Sequence, residues 1–332
     1  LKEIEIVRKE SPIINQFIHK KTSFFQIDYT SSNFSYQKTC MCRIGFLTDM
    51  QFGLYQALYD FIQTPKNHQL LNDLDIQLRQ FTQKDLQGRE KKLFQEAIWT
   101  LLELNPQPDA LVFGGDAIHD PRDHLAYKSM FSCLKPLPST ISTHWIPGNH
   151  DLCNNPPKHH HMDLTSYQQY LQRHGPDHTF WEIPEACFAT INSQALLEEE
   201  NFPEVYQQQM QHLKKAAQHA SQSEHKRLIL FSHHPWFSKK YKPTITTEFA
   251  KPVHLINRFP EVDVVLIAGH DHYFHERSKD NIRQQTVTSV GCTFGKDPSG
   301  FLLLDIDSTG MHMQKITLPL GKTYFDQGPM PL

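Results

Sequence analysis

Five short clusters of polar residues follow one another along this chain, and each could place ligands around a metal ion. They are Asp49-Met50-Gln51, Gly115-Asp116, Gly148-Asn149-His150-Asp151, His233-His234 and Gly269-His270-Asp271-His272. Each cluster directly follows a short apolar run that is typical of a buried strand. Open α/β sheets carry their chemistry beyond the carboxyl ends of their strands, where loops from several strands converge. Together the clusters supply enough carboxylate, amide and imidazole groups for two cations.

Two cations held side by side can clamp a phosphate, generate hydroxide from a bridging water and neutralise charge on a leaving oxygen. Such a pair needs an anionic bridge. Asp116 is the best candidate, because its carboxylate has two oxygens and the preceding glycines let the backbone come close to the metals. Asp49 and His272 would hold one cation. The other would be completed by Asn149, His233 and His270. A mixed shell of oxygen and imidazole ligands favours Mn, Fe or Zn over Ca.

His150 is the candidate general acid. Neighbouring side chains leave a tight turn in different directions, so Asn149 can bind a metal while His150 faces the substrate. Near neutral pH an imidazolium could stabilise the phosphoryl oxygens and protonate the leaving alkoxide. A carboxylate partner would hold the tautomer of this imidazole and raise its pKa, and Asp120 and Asp151 are both candidates for that role.

The elements that must position these residues alternate between strand and helix. Short apolar runs predict strands at 43–48, 109–113, 142–146, 227–231 and 262–268. Apolar residues at helical spacing predict helices over 89–104 and 203–221. This alternation indicates a layered α/β sandwich. After His272 the pattern changes to successive strands at 286–290, 301–306 and 311–318, which we expect to form an antiparallel second sheet.

The candidate ligands extend from Asp49 to His272 without a Ser/Gly linker or a break in composition, so the sequence predicts one catalytic domain over residues 43–332. Residues 1–42 mix charged, aromatic and polar stretches, and we expect an N-terminal extension packed on the main body. A Gln-rich stretch at about residues 63–87 follows the first cluster. We interpret it as an insertion, either a flap near the site or a solvated loop.

Charge and composition exclude several other classes of protein. The 332 residues include 33 Lys and Arg against 36 Asp and Glu, a net charge of −3, so no global positive field recruits nucleic acid. No apolar run approaches the length that spans a bilayer, which predicts a soluble protein without membrane insertion. The six cysteines have no zinc-type spacing and are expected to be reduced, as in a cytoplasmic protein. The chain begins with Leu and shows no signal peptide, so we interpret it as a processed or trimmed fragment.

The order of the five clusters resembles that of the calcineurin-like metallophosphoesterase superfamily, whose usual pattern is Asp-x-His, Gly-Asp, Gly-Asn-His-Asp/Glu, a lone His and Gly-His-x-His. The resemblance implies a four-layer α/β/β/α sandwich of two packed mixed sheets flanked by helices. It also implies two divalent cations on the residues named above, with His150 as the proton donor. Gln51 stands where the family usually has the His of Asp-x-His, which should loosen the first metal or bias it towards Mn or Mg.

A subgroup shares this glutamine. The chain is similar to the CPPED-type (calcineurin-like phosphoesterase domain-containing) proteins through residues 49–54, 104–106, 115–119, 191–194 and 291–298. That subgroup contains Ser/Thr protein phosphatases, so the resemblance implies a phosphorylated protein as substrate. His119 lies in one of the shared segments and becomes a candidate for the substrate pocket. Arg122 and His234 are near ligands in the sequence and are weaker candidates for binding phosphate.

We therefore expect a phosphoprotein phosphatase that hydrolyses phosphoserine and phosphothreonine monoesters by attack of metal-bound hydroxide. Mn is the leading metal, with Fe, Zn or Mg as alternatives. The first alternative function is a phosphodiesterase acting on cyclic nucleotides or other small diesters, since the same metals and His150 would serve both reactions. The second is a binding module that kept the fold and lost activity, which Gln51 suggests. The Gln- and His-rich composition is also compatible with a bacterial effector delivered into a host cell.

Overall fold

A computed structural model describes residues 41–64, 88–153, 161–237, 249–293 and 297–326 of the chain. Two β-sheets pack face to face and helices cover their outer faces, which makes a four-layer α/β/β/α sandwich. The fold that the sequence predicted is thereby confirmed. The expected N-terminal extension and nearly all of the expected Gln-rich insertion lie outside the described residues.

The described ranges contain eleven strands and nine helices. The strands are β1 (Cys42–Leu47), β2 (Ala110–Phe113), β3 (Ser142–Trp145), β4 (Phe180–Ile183), β5 (Ala186–Ile191), β6 (Arg227–Ser232), β7 (Asp263–Ala268), β8 (His275–Lys279), β9 (Ile282–Thr286), β10 (Gly300–Asp307) and β11 (Gly310–Thr317). The helices are α1 (Leu54–Gln63), α2 (Arg89–Leu102), α3 (His124–Leu134), α4 (Asn149–Leu152), α5 (Leu164–His174), α6 (Ser193–Leu196), α7 (Pro203–Gln222), α8 (Ala250–Ile256) and α9 (Pro319–Asp326).

Both sheets are mixed, and in each the central strands are parallel. The first sheet has the order β11-β10-β1-β2-β3, in which β1, β2 and β3 are parallel and β10 is antiparallel to β1. The second has the order β4-β5-β6-β7-β9-β8, with antiparallel strands only at its two edges. Parallel strands end on the same side of a sheet, so the loops after β1, β2 and β3 meet, as do those after β6 and β7.

Side chains of the central strands alternate between two hydrophobic layers, as the pleat requires. In β6, Ile229 and Phe231 point between the sheets, whereas Leu228 and Leu230 face the helices. Phe231 stacks on Phe46 of the first sheet with 5.7 Å between the ring centroids. Because both faces of β6 are buried, its sequence is a continuous apolar run rather than an alternating one.

The two long helices predicted from apolar spacing are present and end within two residues of the predicted bounds. Leu93, Ala97 and Leu101 of α2 are buried against the first sheet. Leu213 and Ala217 of α7 are buried against the second. None of the helices in the described ranges combines the length and apolar character that a bilayer crossing requires.

The expectation that the C-terminal strands form a sheet of their own is wrong. β10 and β11 lie where the sequence predicted strands, but β10 pairs with β1, with Leu302 opposite Phe46, and so extends the first sheet. The strand predicted at 286–290 is displaced, since β9 ends at Thr286 and joins the second sheet beside β7. Apolar periodicity shows that a strand exists but carries no information about which strand it pairs with.

Candidate metal centre

The loops after β1, β2, β3, β6 and β7 meet at one edge of the sandwich and carry all the predicted metal ligands. These are Asp49, Gln51, Asp116, Asn149, His233, His270 and His272. Within the first sheet, Asp49 N donates to Gly115 O and Gln51 N donates to Asp116 O, each at 2.9 Å. Between the sheets, His270 N donates to Asp49 Oδ2 at 2.9 Å. The hydrogen bonds thus join loops from both halves of the chain.

Backbone strain is concentrated at this edge. Of the seven non-glycine residues with positive φ in the described ranges, five are predicted ligands. They are Asp49, Gln51, Asp116, His270 and His272, with φ between 51° and 67°. The left-handed conformation costs a non-glycine residue about 1–2 kcal/mol. Strain of this kind persists where the surrounding structure fixes the side chains in place, which is typical of functional sites.

Gly148 is needed because the Asp116 loop touches the backbone at the start of α4. A Cβ atom at Gly148 would lie 2.1 Å from Asp116 Oδ1 and 2.4 Å from Asp116 N. This closeness lets the N–H of His150 donate to Asp116 Oδ1 at 2.8 Å. The second and third clusters of the sequence are therefore in direct contact.

Two acceptor atoms face each other in the first half of the centre. His272 Nε2 lies 3.1 Å from Asp49 Oδ1. His272 Nδ1 donates to the carbonyl oxygen of Cys292, so Nε2 of the neutral ring carries a lone pair. Asp49 Oδ1 is buried and receives no hydrogen bond of acceptable geometry. Two lone pairs at this separation repel each other, so a positive charge must lie between them: a bound cation or, without one, an extra proton on His272. Burial lowers the pKa of His272, but Asp49 outweighs it and raises that pKa well above its usual value.

The second half of the centre has the same arrangement. His233 Nδ1 lies 2.9 Å from the carbonyl oxygen of Gly114, to which it donates. His233 Nε2 then faces Asn149 Oδ1 at 3.2 Å and Asp116 Oδ2 at 3.4 Å, and in the neutral ring this nitrogen offers a lone pair to a metal. His270 Nδ1 lies 3.3 Å from the same Nε2. Oxygen and imidazole ligands thus converge on one point, as a transition-metal ion requires.

Gln51 connects the two halves. Its Nε2 donates to Asp116 Oδ2 at 3.1 Å. Its Oε1 is buried and has no hydrogen-bond donor among the described residues. A buried acceptor without a donor is costly, and a cation would satisfy it. The residues present therefore fit a pair of cations, with Asp116 between them.

The electrostatics of the centre also favour cations. Burial raises the pKa of Asp116, but His233 and His150 outweigh it and hold that pKa well below its usual range. Burial lowers the pKa of His233, but Asp116 outweighs it and raises the value to about 9. Burial and the nearby His233 lower the pKa of His270 to about 4. At neutral pH the Asp116 carboxylate is anionic and the proton on His233 balances its charge, so a metal cation that replaces this proton keeps the charge compensated.

His150 lies at the rim of the centre, beside the predicted ligands. Its side chain is 19 % exposed, and Nε2 is 4.0 Å from Asp116 Oδ2. Nδ1 lies 3.0 Å from the carbonyl oxygen of His119, to which it donates. The ring is therefore held by a backbone carbonyl, with Nε2 directed towards the centre.

This orientation differs from the prediction that a carboxylate would hold His150. Asp120 accepts hydrogen bonds from the guanidinium of Arg122 at 2.6 and 2.8 Å. Asp151 is buried and accepts from the backbone N–H groups of Gly148 at 2.9 Å and Ala117 at 3.1 Å. The carbonyl oxygen of His119 takes the position at Nδ1 that was predicted for a carboxylate, because the second loop passes directly beside the ring.

The three candidates for phosphate binding, His119, Arg122 and His234, lie in different surroundings. The ring of His119 lies 4.9 Å from that of His150, so this residue belongs to the rim of the centre. The side chain of Arg122 is 58 % exposed and engaged with Asp120. His234 is buried, with Nδ1 2.9 Å from Ser193 Oγ and its ring 4.5 Å from that of His270.

Sequence reasoning missed the residues that support the ligands. Thr48 Oγ1 lies within hydrogen-bonding distance of Asp49 Oδ2, at 2.7 Å, and Ser289 Oγ donates to the carbonyl oxygen of Asp49 at 2.7 Å. Cys292 supplies the carbonyl that orients His272. A Thr or Ser after a strand carries no signal of its own. The only indication was the similarity of residues 291–298 to the CPPED-type proteins.

Comparison with known proteins agrees with this geometry. A profile of the calcineurin-like phosphoesterases matches residues 42–274. The chain is 27 % identical over 222 residues to serine/threonine-protein phosphatase CPPED1 of Rattus norvegicus, covering 64 % of this chain and 69 % of that protein. Its fold is similar to that of a dimetal phosphatase from Danio rerio, with a TM-score of 0.53, 14 % identity and coverage of 83 % and 99 %. It is also similar to GAP50, the anchor in the inner membrane complex of Plasmodium, with a TM-score of 0.57, 15 % identity and coverage of 85 % and 86 %.

Proposed function

Because the chain belongs to the calcineurin-like phosphoesterase family, we propose that it is a dinuclear phosphatase that hydrolyses phosphoserine and phosphothreonine monoesters on proteins. The observation that carries the proposal is the convergence of buried ligand atoms from Asp49, Asp116, His233 and His272 on one edge of the sandwich. The CPPED1 relatives, which are named serine/threonine-protein phosphatases, support the substrate class.

The proposed ligand set divides into two halves that share Asp116. Asp49, Gln51 and His272 would hold one cation beside Asp116. The other would be held by Asn149, His233 and His270. Two divalent cations in these positions would supply an activated water as nucleophile and would neutralise the charge of the phosphate. Mn²⁺ is the proposed metal, because amide and carboxylate oxygens outnumber imidazoles around the first position.

His150 is the proposed proton donor to the leaving alkoxide. The hydrogen bond from Nδ1 to the carbonyl of His119 persists in both protonation states, so the proton that is transferred is the one on Nε2. After transfer the ring is neutral and keeps its orientation. His119 shapes the rim next to this proton, which supports a role in the substrate pocket.

The test measures phosphate release from phosphoserine, phosphothreonine and phosphotyrosine peptides with added Mn²⁺, beside bis-p-nitrophenyl phosphate as a diester. We expect the phosphoserine and phosphothreonine peptides to be the best substrates. A preference for the diester would indicate a phosphodiesterase instead. Absence of turnover on every substrate with excess Mn²⁺ would indicate a binding module.

The role of His150 is tested by comparing leaving groups. His150→Asn should lower kcat for a phosphoserine peptide about 100-fold or more, the usual contribution of a general acid. The loss should be much smaller with p-nitrophenyl phosphate, whose leaving group needs no proton. His312→Asn, on the exposed face of β11, is the matched control and should retain full turnover. Equal losses on both substrates would assign His150 a role other than proton donation.

A further inference from the structure

A second cluster of metal-binding side chains lies on the outer face of the second sheet. Glu182 of β4 and Cys187 of β5 are directly opposite each other across the strand pair. The last turn of α7 brings His219 to the same face. One ligand atom of each of the three residues lies within 4.8 Å of the other two. No sequence spacing indicates this cluster, because its members come from three different elements.

The cluster combines one buried ligand with two accessible ones. Cys187 is fully buried, whereas the side chains of Glu182 and His219 are 55 % and 49 % exposed. His219 Nε2 lies 2.6 Å from Glu182 Oε2. The ring of Phe180 meets that of His219 edge to face at 5.2 Å. The imidazole is therefore already held beside the carboxylate, and solvent can reach both.

A fourth residue, His225, supports the sulfur atom. The N–H of Arg227 donates to His225 Nδ1 at 3.1 Å, so Nδ1 is an acceptor and the hydrogen of the neutral ring is on Nε2. That Nε2 lies 4.0 Å from Cys187 Sγ. An N–H group pointing at sulfur stabilises a thiolate. Hydrogen bonds of this kind to a metal-binding atom are a regular feature of metal sites.

The cluster is separate from the dinuclear centre. Cys187 lies opposite Leu228, near the start of β6, whereas His233 follows the end of that strand. The two sites are roughly 17 Å apart along the strand, because five residue steps of about 3.3 Å separate Leu228 from His233. Burial and then the charge of Glu182 raise the pKa of the Cys187 thiol to about 11, so without a cation the sulfur is not a nucleophile at neutral pH.

We propose that Glu182, Cys187 and His219 bind a zinc ion, with His225 donating a hydrogen bond to the sulfur and water in the fourth position. Thiolate, imidazole and carboxylate are the ligands zinc takes in proteins, in tetrahedral sites. Mn²⁺ and Mg²⁺ prefer oxygen, so the two sites of this protein would select different metals. Binding releases the thiol proton to solvent. The ion would tie the β4–β5 hairpin to the end of α7.

The test uses the full chain stripped of metal with a chelator and titrated with Co²⁺, a spectroscopic substitute for Zn²⁺. We expect a thiolate-to-cobalt charge-transfer band in the near ultraviolet that disappears on addition of Zn²⁺. Its amplitude at saturation should correspond to one thiolate-bound Co²⁺ per chain, since up to two further Co²⁺ would enter the dinuclear centre. The proposed ligands of the dinuclear centre include no cysteine, so this band reports only the new site. Cys187→Ser should abolish it. Cys133→Ser, at a buried thiol of α3, should leave it unchanged.

Variants of the exposed ligands Glu182 and His219 keep the proposal testable even if Cys187→Ser fails to fold. Glu182→Gln and His219→Gln should each weaken Co²⁺ binding by about 100-fold or more, and His225→Phe by about 10- to 100-fold. His254→Gln, at an exposed position of α8, is the matched control and should bind as the unaltered chain does. A folded chain that shows no band, a band that survives Cys187→Ser, or full affinity in both Gln variants would overturn the proposal. None of these outcomes bears on the phosphatase activity.

Discussion

At the scale of single residues, the candidate centre is defined by acceptor atoms that lack a donor. Asp49 Oδ1 and Gln51 Oε1 are both buried in the same loop of the centre, and neither has a hydrogen-bond donor among the described residues. Leaving a buried acceptor unpaired costs about 1–3 kcal/mol. A protein can tolerate this destabilisation when a bound cation is coordinated by both atoms. Gln51 is therefore more informative than a histidine would be, because a neutral imidazole could have satisfied itself by changing tautomer.

Substitution of Gln51 tests its part in metal binding. We expect Gln51→His to lower the Mn²⁺ concentration for half-maximal activity, and Gln51→Ala to raise it, each by about tenfold. Both variants lose the hydrogen bond to Asp116, so the difference between them reports the ligand itself. Gln314→His on the exposed face of β11 is the control. Identical Mn²⁺ dependence in the His and Ala variants would show that residue 51 does not bind the metal.

At the scale of elements, α5 ends in an aromatic pocket that keeps a histidine in its neutral form. The ring of His174 lies 4.4 Å from Trp145 and 4.7 Å from Tyr170, between ring centroids. Neither ring nitrogen has a hydrogen-bond partner among the described residues. Burial, and to a lesser extent Arg173, lowers the pKa of His174 to about 3. The end of this helix is therefore a source of acid sensitivity.

His174→Phe should make the protein more resistant to acid. The unfolded chain binds a proton at residue 174 with a pKa of about 6.5, so between pH 6.5 and 3 it holds more protons than the folded chain and stability falls as pH falls. At pH 5 the loss is about 2 kcal/mol, and the variant should recover it. Urea unfolding at pH 7.5 and 5.0 measures the difference. His254→Phe, on the exposed face of α8, is the control and should leave the pH dependence of stability unchanged. If His174→Phe also leaves that pH dependence unchanged, His174 is not the source of the acid sensitivity.

At the scale of the whole molecule, the dinuclear centre connects the two sheets. Asp49, Asp116 and Asn149 follow strands of the first sheet, and His233, His270 and His272 follow strands of the second. Cations bound by both sets would be cross-links between the layers. Ligands that bind only the folded state stabilise it by mass action.

Metal removal should therefore lower the melting temperature. With free Mn²⁺ at about 100 times its Kd, one site adds about 2.7 kcal/mol to the free energy of unfolding. Calorimetry of the unaltered chain should show a higher melting temperature with Mn²⁺ than with chelator. Asp116→Asn should lose this difference. His312→Asn is the control and should keep the gain. Equal melting temperatures with Mn²⁺ and with chelator would show that the loops hold no metal.

Local patterns predicted the elements well and their partners poorly. The apolar runs ending at Thr48 and Ala268 give the strands β1 and β7, and the fold of two mixed sheets is confirmed. Two features could not be predicted: the pairing of β10 with β1, and the hydrogen bond from His150 to the carbonyl of His119. Both depend on contacts between distant parts of the chain. The ligand roles themselves stay predictions. The cluster around Cys187 could not be found in advance, because cross-strand pairing and the position of α7 create it.

The position of β1 has a consequence for the order in which the protein can form. β1 is made before every other strand of the described residues, yet one of its two neighbours, β10, begins more than 250 residues later, at Gly300. Until then one side of β1 exposes unpaired peptide groups, the kind of edge that recruits other chains. Residues 289 and 290, which bind the backbone at Thr48 and Asp49, also arrive late. A nascent chain must therefore shelter β1 until β10 has been made, and a premature stop before β10 would release a product prone to aggregate.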